Sequence, residues 1–394
     1  MIFTPFRQIL PYPPFKTIKL NTDCWVRSPA WDLFWLHSGV WLGLLFFTFS
    51  HQPALEMFYI AGVFLFWIAH RFSSFYLAWG TRAYRNVCAN QPWRFVFFPL
   101  ILGISVIVVL LMPETVLPVS VPLRILGLLL LDFIWGMHHF AAQHYGMLRL
   151  FHHRSNPETA TSSNRQDRFF CWGAGFLLVL IAELLHGTSF LQEKQILPLL
   201  SMDWGNEVIP LILRLGTLLV LAITMIMIRN AWLNKSGLPR ILYILGVGIM
   251  VTGAFQFEPF QFLMLWTLQH WMAALGLATH MGGNDISQYT TAEKSLLKIT
   301  SSVKFRNPWI VLLLLCTLSV ILTPFFEIEA ASAGTRYSEI FFPSLMELLE
   351  NSNWFILLVG IGIATGFLHY LMDRAVYRFS DFETRLSARK LLYG

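Results

Sequence analysis

WFILLVGIGIATGFLHYLMDR, residues 354–374, carries no charged side chain before Asp373, and its single imidazole, His369, stands one helical turn earlier. A helix of about 20 residues crosses the roughly 30 Å of hydrocarbon in a bilayer. The stretch therefore predicts a membrane span with two ionisable groups near one end. The same criterion, applied outward along the chain, finds segments at roughly 33–49, 55–80, 95–112, 121–147, 169–187, 208–229, 239–256, 259–281 and 308–326, besides 353–374 itself. Proline marks several of their edges, at Pro113, Pro210, Pro259 and Pro308, because it lacks the N–H that a helix interior uses. The 394 residues are 56% hydrophobic, 15% aromatic and 13% charged, against about 25% charged in a soluble domain. The expected fold is all-α: a polytopic helical bundle of about ten transmembrane helices. It divides into an N-terminal segment (1–32), a transmembrane domain (33–378) and a basic tail (379–394). The N-terminal segment lacks the basic, apolar and small-residue order of a cleaved signal peptide, so the first helix is expected to anchor the chain.

Loop charge orients the bundle. Cytoplasmic loops collect Lys and Arg, and most of the 28 basic residues fall on one side: Arg7, Lys16, Lys19 and Arg27; Arg82, Arg85 and Arg94; Arg149, Arg154, Arg165 and Arg168; Arg229, Lys235 and Arg240; Lys294, Lys298, Lys304 and Arg306; and Arg374 to Lys390 in the tail. The opposite loops hold Arg124, Lys194 and Arg336 among acids such as Glu56, Asp203, Glu258 and Glu329. Both termini are therefore expected in the cytoplasm, and the short loops suggest a bacterial inner membrane. The net charge of +6 is scattered through loops and forms no interleaved patch, so nucleic acid is not an expected partner. The four cysteines, Cys24, Cys88, Cys171 and Cys316, avoid the outer loops and propose no disulfide framework.

With orientation set, eight histidines share the cytoplasmic half of the membrane: His37, His70, His138, His139, His144, His270, His280 and His369. One interfacial histidine is unremarkable. Ionisable groups inside spans, however, are costly and face protein or a water-filled cavity, and imidazole is the commonest protein ligand for metals. These eight, with Asp373, form the candidate metal-binding set. At about 100° per residue, His369 and Asp373 differ by about 40° and share a face. His138, His139 and His144 project at about 0°, 100° and 240°, so they cannot all face one ion. Either His138 or His139 can join His369, and His139 shares its face with Gln143. His270 and His280 are about 15 Å apart along a helix, so at most one belongs to a compact centre. The expected ligands are His70, His138 or His139, His270 and His369, with Asp373 completing or orienting the site. His37, His144 and His280 are expected to support it or to hold a second metal. His152 and His153 are expected in a solvated loop, and His51 and His186 at the outer side. Arg71 is expected to pair with Asp132 or to snorkel outward. Glu183 and His186 read as an interfacial pair.

Imidazoles with a carboxylate and no thiolate suit non-haem iron, with zinc, copper or haem as alternatives. An apolar surround implies a lipophilic substrate (a lipid, polyene or isoprenoid) together with membrane lipids and an electron donor as partners. The expected chemistry is that of a membrane oxygenase or desaturase-like enzyme. Three other readings stand beside it: a haem-bearing electron-transfer protein, a metal or proton transporter, and a non-catalytic assembly factor. The chain has no GxSxG, HExxH, Walker or dinucleotide fingerprint. Histidines dispersed singly over several spans, and the His139–Phe140 pair within one of them, resemble the Brp/Blh membrane proteins, which cleave β-carotene with histidine-bound iron. That resemblance covers the histidine-bearing spans and implies an iron-dependent oxygenase acting on a carotenoid. The HYLMDR ending departs from it, and the HxxxH and HxxHH boxes of the membrane desaturases are absent.

Overall fold

A computed structural model describes residues 24–49, 52–155, 164–193, 204–287, 308–327 and 337–393. His51 and the loop residues Lys194, Asp203, Lys294, Lys298, Lys304, Arg306, Glu329 and Arg336 lie outside them, as do Arg7, Lys16 and Lys19. Among the described residues every regular element is helical: α1 (Pro29–Trp35), α2 (Ser38–Phe49), α3 (Pro53–Gly80), α4 (Arg82–Asn90), α5 (Trp93–Leu111), α6 (Val121–Ser155), α7 (Asn164–His186, continuing to Glu193), α8 (Trp204–Leu233), α9 (Leu238–Gln256), α10 (Pro259–Ser287), α11 (Pro308–Phe326), α12 (Tyr337–Phe341), α13 (Pro343–Glu350), α14 (Phe355–Val376) and α15 (Phe382–Tyr393). Eight of these are long and apolar enough to cross a membrane, and α1 with α2, bent by 50° at a short break, makes up to nine.

The expected segment at 259–281 is helical as α10 but is not one of the eight. Its polar residues include Gln269, His270 and His280, and nearly every side chain from Leu265 to Met281 is buried. A helix wrapped by protein need not be apolar toward lipid. Four other expectations change. The first span is broken at Leu36 and His37, with His37 in the break. The α6 helix runs to Ser155, so His152 and His153 lie in its last turn, and His152 is buried. Pro210 sits inside α8 and marks no edge. The C-terminal tail forms α15, which buries Thr384, Ala388, Leu391 and Leu392 and packs on α10 and α4. Its N-cap is Asp381, which accepts the Thr384 N–H at 2.9 Å. That bond holds its carboxyl below the ordinary carboxylate range.

The core helices α3, α6, α10 and α14 meet through polar and close-packed contacts. Arg71 on α3 is 7% exposed. It donates to the Gly362 carbonyl at 3.0 Å and to Thr365 Oγ1 at 2.8 Å on α14, and stacks over Trp67. It does not snorkel. Gly366 makes this approach possible, since a Cβ there would lie 3.1 Å from Asp132 Oδ1 and 3.6 Å from Arg71 Nη2. At the loop-rich end nearest α15, the fully buried Asp167 of α7 receives Arg240 of α9 at 2.7 Å and Arg149 of α6 at 3.4 Å. Arg240 also donates to the Leu148 carbonyl at 2.8 Å. Removing one partner of such a buried pair strands a charge and costs about 3–5 kcal/mol. Asp167→Ala should therefore lower the thermal unfolding midpoint in detergent micelles well below that of Asp381→Ala, a change at an exposed cap. Equal midpoints for the two variants would show that the three-helix junction does not hold the bundle.

Candidate metal centre

The α3 helix carries His70 on a regular α-helical stretch, Ile68–Phe75, flanked by π-helical turns at Val63–Trp67 and Tyr76–Gly80. His139 comes from α6, His270 from α10, and His369 and Asp373 from α14. The five side chains are all buried, between 1% and 7% exposed. The ring of His70 lies 4.5 Å from that of His369 and 5.1 Å from that of His270, centroid to centroid. The ring of His139 lies 4.9 Å from His270 and 5.0 Å from His369. His139 Nε2 approaches Asp373 Oδ2 at 3.3 Å, and His369 Nδ1 approaches Asp373 Oδ1 at 3.6 Å. Two sets of ligand atoms fall within 4.8 Å of one another: His70, His270 and His369, and His139, His369 and Asp373. His369 belongs to both.

The hydrogen bonds around these residues aim them inward. His70 Nδ1, His270 Nε2 and both nitrogens of His369 are buried without a hydrogen-bond partner, and His139 Nε2 has the Asp373 carboxylate beside it. A buried polar atom left so costs about 1–3 kcal/mol. An ion can take one nitrogen from each ring, so a metal held by either three-ligand set would satisfy several of these atoms at once. Gln143 Oε1, which can only accept, meets His270 Nδ1. It fixes the proton on Nδ1 and leaves the Nε2 lone pair for the centre. Ser74 Oγ, one turn beyond His70, donates to Asp373. Trp271 stacks on His70 at 5.6 Å, Phe140 packs on His270 at 4.4 Å, and Tyr370 packs on His139 at 4.9 Å. These rings exclude water from the ligands.

The donor set of imidazole with one carboxylate fits a borderline ion such as iron, zinc or copper. The 2-His-1-carboxylate group of His139, His369 and Asp373 is the set that non-haem Fe(II) oxygenases use. A porphyrin fits poorly, because it needs a flat slot between two axial imidazoles. Here the centroids of the His70 and His369 rings are only 4.5 Å apart, which leaves no gap for a macrocycle between them.

The remaining predicted residues lie elsewhere. His138 points away from the cluster, is exposed and packs on Trp172 at 4.5 Å. The choice between His138 and His139 thus falls to His139. His144 turns toward α9, its Nδ1 2.9 Å from the Tyr243 hydroxyl. His37 is wedged between Trp25, Phe151 and Tyr243. His280 Nε2 meets the Leu392 carbonyl of α15 at 3.1 Å. Neither these three nor His138 belongs to a group of three ligands among the described residues, so no second metal is assembled from them. Glu183 and His186 stay on α7 and belong to neither set. Sequence reasoning missed Ser74, Trp271 and Tyr370. The i,i+4 spacing of His70 and Ser74 was the available signal for Ser74.

The centre should bind a divalent transition metal near one equivalent per chain. His369→Ala, which removes the residue common to both sets, should abolish binding, whereas His138→Ala should leave it within about twofold. Asp373→Asn should weaken affinity by about 10–100-fold, the usual cost of losing an orienting carboxylate. Metal analysis of the purified variants checks all three, and equal metal in wild type and His369→Ala would remove the centre. No family model, curated protein or solved structure matches the chain, so the chemistry of the centre is read from its own residues.

Proposed function

We propose that this protein is an integral membrane metalloenzyme, a non-haem iron oxygenase or desaturase-like oxidoreductase acting on a lipophilic substrate. The observation that carries the proposal is the convergence of four buried imidazoles and one carboxylate from four helices, in two three-ligand sets that share His369. Iron bound there supplies O₂-dependent oxidation chemistry. The chain's own residues position and protect it. Gln143 sets the tautomer of His270, Ser74 orients Asp373, and Arg71 ties the helix of His70 to that of His369. The Trp271, Phe140 and Tyr370 rings keep bulk water from the ligands.

Substrate class follows from the surroundings. The helices around the centre present apolar side chains to the bilayer, so a long apolar molecule reaches the site laterally and at low desolvation cost. A polyene or isoprenoid fits this, in keeping with the resemblance to the Brp/Blh proteins. The basic loops support cytoplasmic termini, and the shortness of the loops is the ground for a bacterial plasma membrane. Zinc, copper and haem remain readings of the same histidines. The short separation of the His70 and His369 rings disfavours haem, and a transporter would line the outer half of the bundle with a continuous polar path, where the spans carry Arg124, Glu183, His186 and Arg214 as separate groups on three helices.

The test uses the full chain in lipid nanodiscs, loaded with Fe(II) and given O₂, a chemical reductant and a panel of carotenoid, isoprenoid and fatty-acyl lipids. Mass spectrometry should find an oxygen-dependent product from one member of the panel, lost in His369→Ala. Stoichiometric zinc in protein purified from cells, with O₂ uptake no greater than that of His369→Ala after iron loading, would rule out the iron reading.

A further inference from the structure

Beside the centre lies a second group of buried polar side chains that metal binding does not use. Tyr243 on α9 is 2% exposed, His144 on α6 is 1% exposed, and the phenol oxygen lies 2.9 Å from His144 Nδ1. Tyr243 also lines, with His37 and Gln269, a crevice at the break between α1 and α2 that is too narrow to hold a water. Around this pair, His144 Nε2, both nitrogens of His37, Gln269 Oε1 and Trp266 Nε1 are buried without partners. A helix bundle that needed only packing here would hold apolar residues of the same shape.

The rings are in series. His144 lies 5.8 Å from Trp266, Trp266 stacks on Phe140 at 5.8 Å, and Phe140 packs on His270 of the centre at 4.4 Å. In the other direction Tyr243 lies 5.9 Å from His37, and His37 lies 5.7 Å from Trp25, which is half-buried at the edge of the bundle. Tyr243 therefore stands between the centre and the molecular edge.

We propose that Tyr243 and His144 form a proton-coupled one-electron relay for the metal centre, a role that rests on the centre holding a redox metal. A phenol buried in low dielectric resists oxidation to a cation, because the charge is left unsolvated. Oxidation is feasible only when the proton leaves with the electron, and the Nδ1 of His144, in the tautomer protonated at Nε2, stands 2.9 Å away to receive it. Reduction of one hydrogen peroxide to two waters takes up two protons from solvent and two electrons, one that ferrous iron held at the centre would give and one from Tyr243. The O–H bond of Tyr243 breaks, its proton forms an N–H bond at His144 Nδ1, and a neutral phenoxyl and an imidazolium remain. A one-electron donor docking near Trp25 returns the electron, and the proton goes back to the phenol oxygen.

The test is freeze-quench electron paramagnetic resonance of the full-length, iron-loaded protein in nanodiscs after mixing with hydrogen peroxide. A neutral tyrosyl radical is expected, with a proton coupling that disappears in D₂O. It should be absent from Tyr243→Phe at unchanged iron content, and at least tenfold weaker in His144→Gln, whose amide can hydrogen-bond but cannot take the proton. A radical that persists unaltered in Tyr243→Phe, or peroxide consumption by iron-loaded protein with no tyrosyl radical, overturns the relay and leaves the centre standing. Failure of the wild-type protein to take up iron overturns both. Should Tyr243→Phe lose iron through misfolding, ring-deuterated tyrosine and His144→Gln decide the matter: a signal insensitive to both is not Tyr243.

Discussion

A polar atom buried in hydrocarbon has no water to turn to, and that constraint orders the interior of this bundle. The lipid-facing helices meet it by being apolar, as α5, α8 and α11 are. The inner helices meet it by giving their polar side chains to one another. Arg71 reaches α14, Asp167 gathers Arg149 and Arg240, and Gln143 accepts from His270. Among the histidines whose nitrogens find no such partner, His70, His270 and His369 converge with His139 and Asp373 at the candidate centre. Site and fold are therefore two results of one cost. Among the inner helices, the one that contributes His270 is the one without a stretch apolar enough to count as a span, and its side chains from Leu265 to Met281 are nearly all buried in protein.

Much of this was legible in the chain. Apolar length and proline positions placed helices close to their observed bounds, since hydrocarbon thickness fixes how long a span must be. The i,i+4 spacing of His369 and Asp373 placed both on one face, as found. Depth brought His70, His270 and His369 to a common level. Depth alone does not give azimuth, however. His37, His144 and His280 share that half of the membrane and face other neighbours: an aromatic wedge, a tyrosine and the end of α15. Nothing local in the sequence says that α15 folds back to meet His280, because that contact joins residues more than 100 positions apart. The choice between His138 and His139 likewise depends on which side of α6 receives α14, a tertiary fact.

The small residues of α14 explain how so many polar groups come within reach. Gly360, Gly362, Ala364 and Gly366 are buried along it, and small residues let helix backbones approach closely where lipid offers no hydrophobic drive to pack. At Gly366 the missing side chain admits both Asp132 and Arg71 to the backbone of the helix that carries His369. A methyl group there would press on the Asp132 carboxylate, which stands beside the Arg71 guanidinium. The same closeness that assembles the ligands thus also fixes the spacing between them, so packing and metal geometry are set together.

The π-helical turns on either side of His70 give the α3 span a length it does not need for crossing. It has 28 residues, while about 20 suffice. Each π turn holds an extra residue that could be lost by tightening to an α turn, and the loss would be absorbed within the turn. The segment from Ile68 to Phe75, with His70, Arg71 and Ser74, is therefore insulated from changes in span length toward either surface. A lineage could match this helix to a thicker or thinner bilayer by single-residue insertions or deletions at its ends, without rotating the histidine away from its partners.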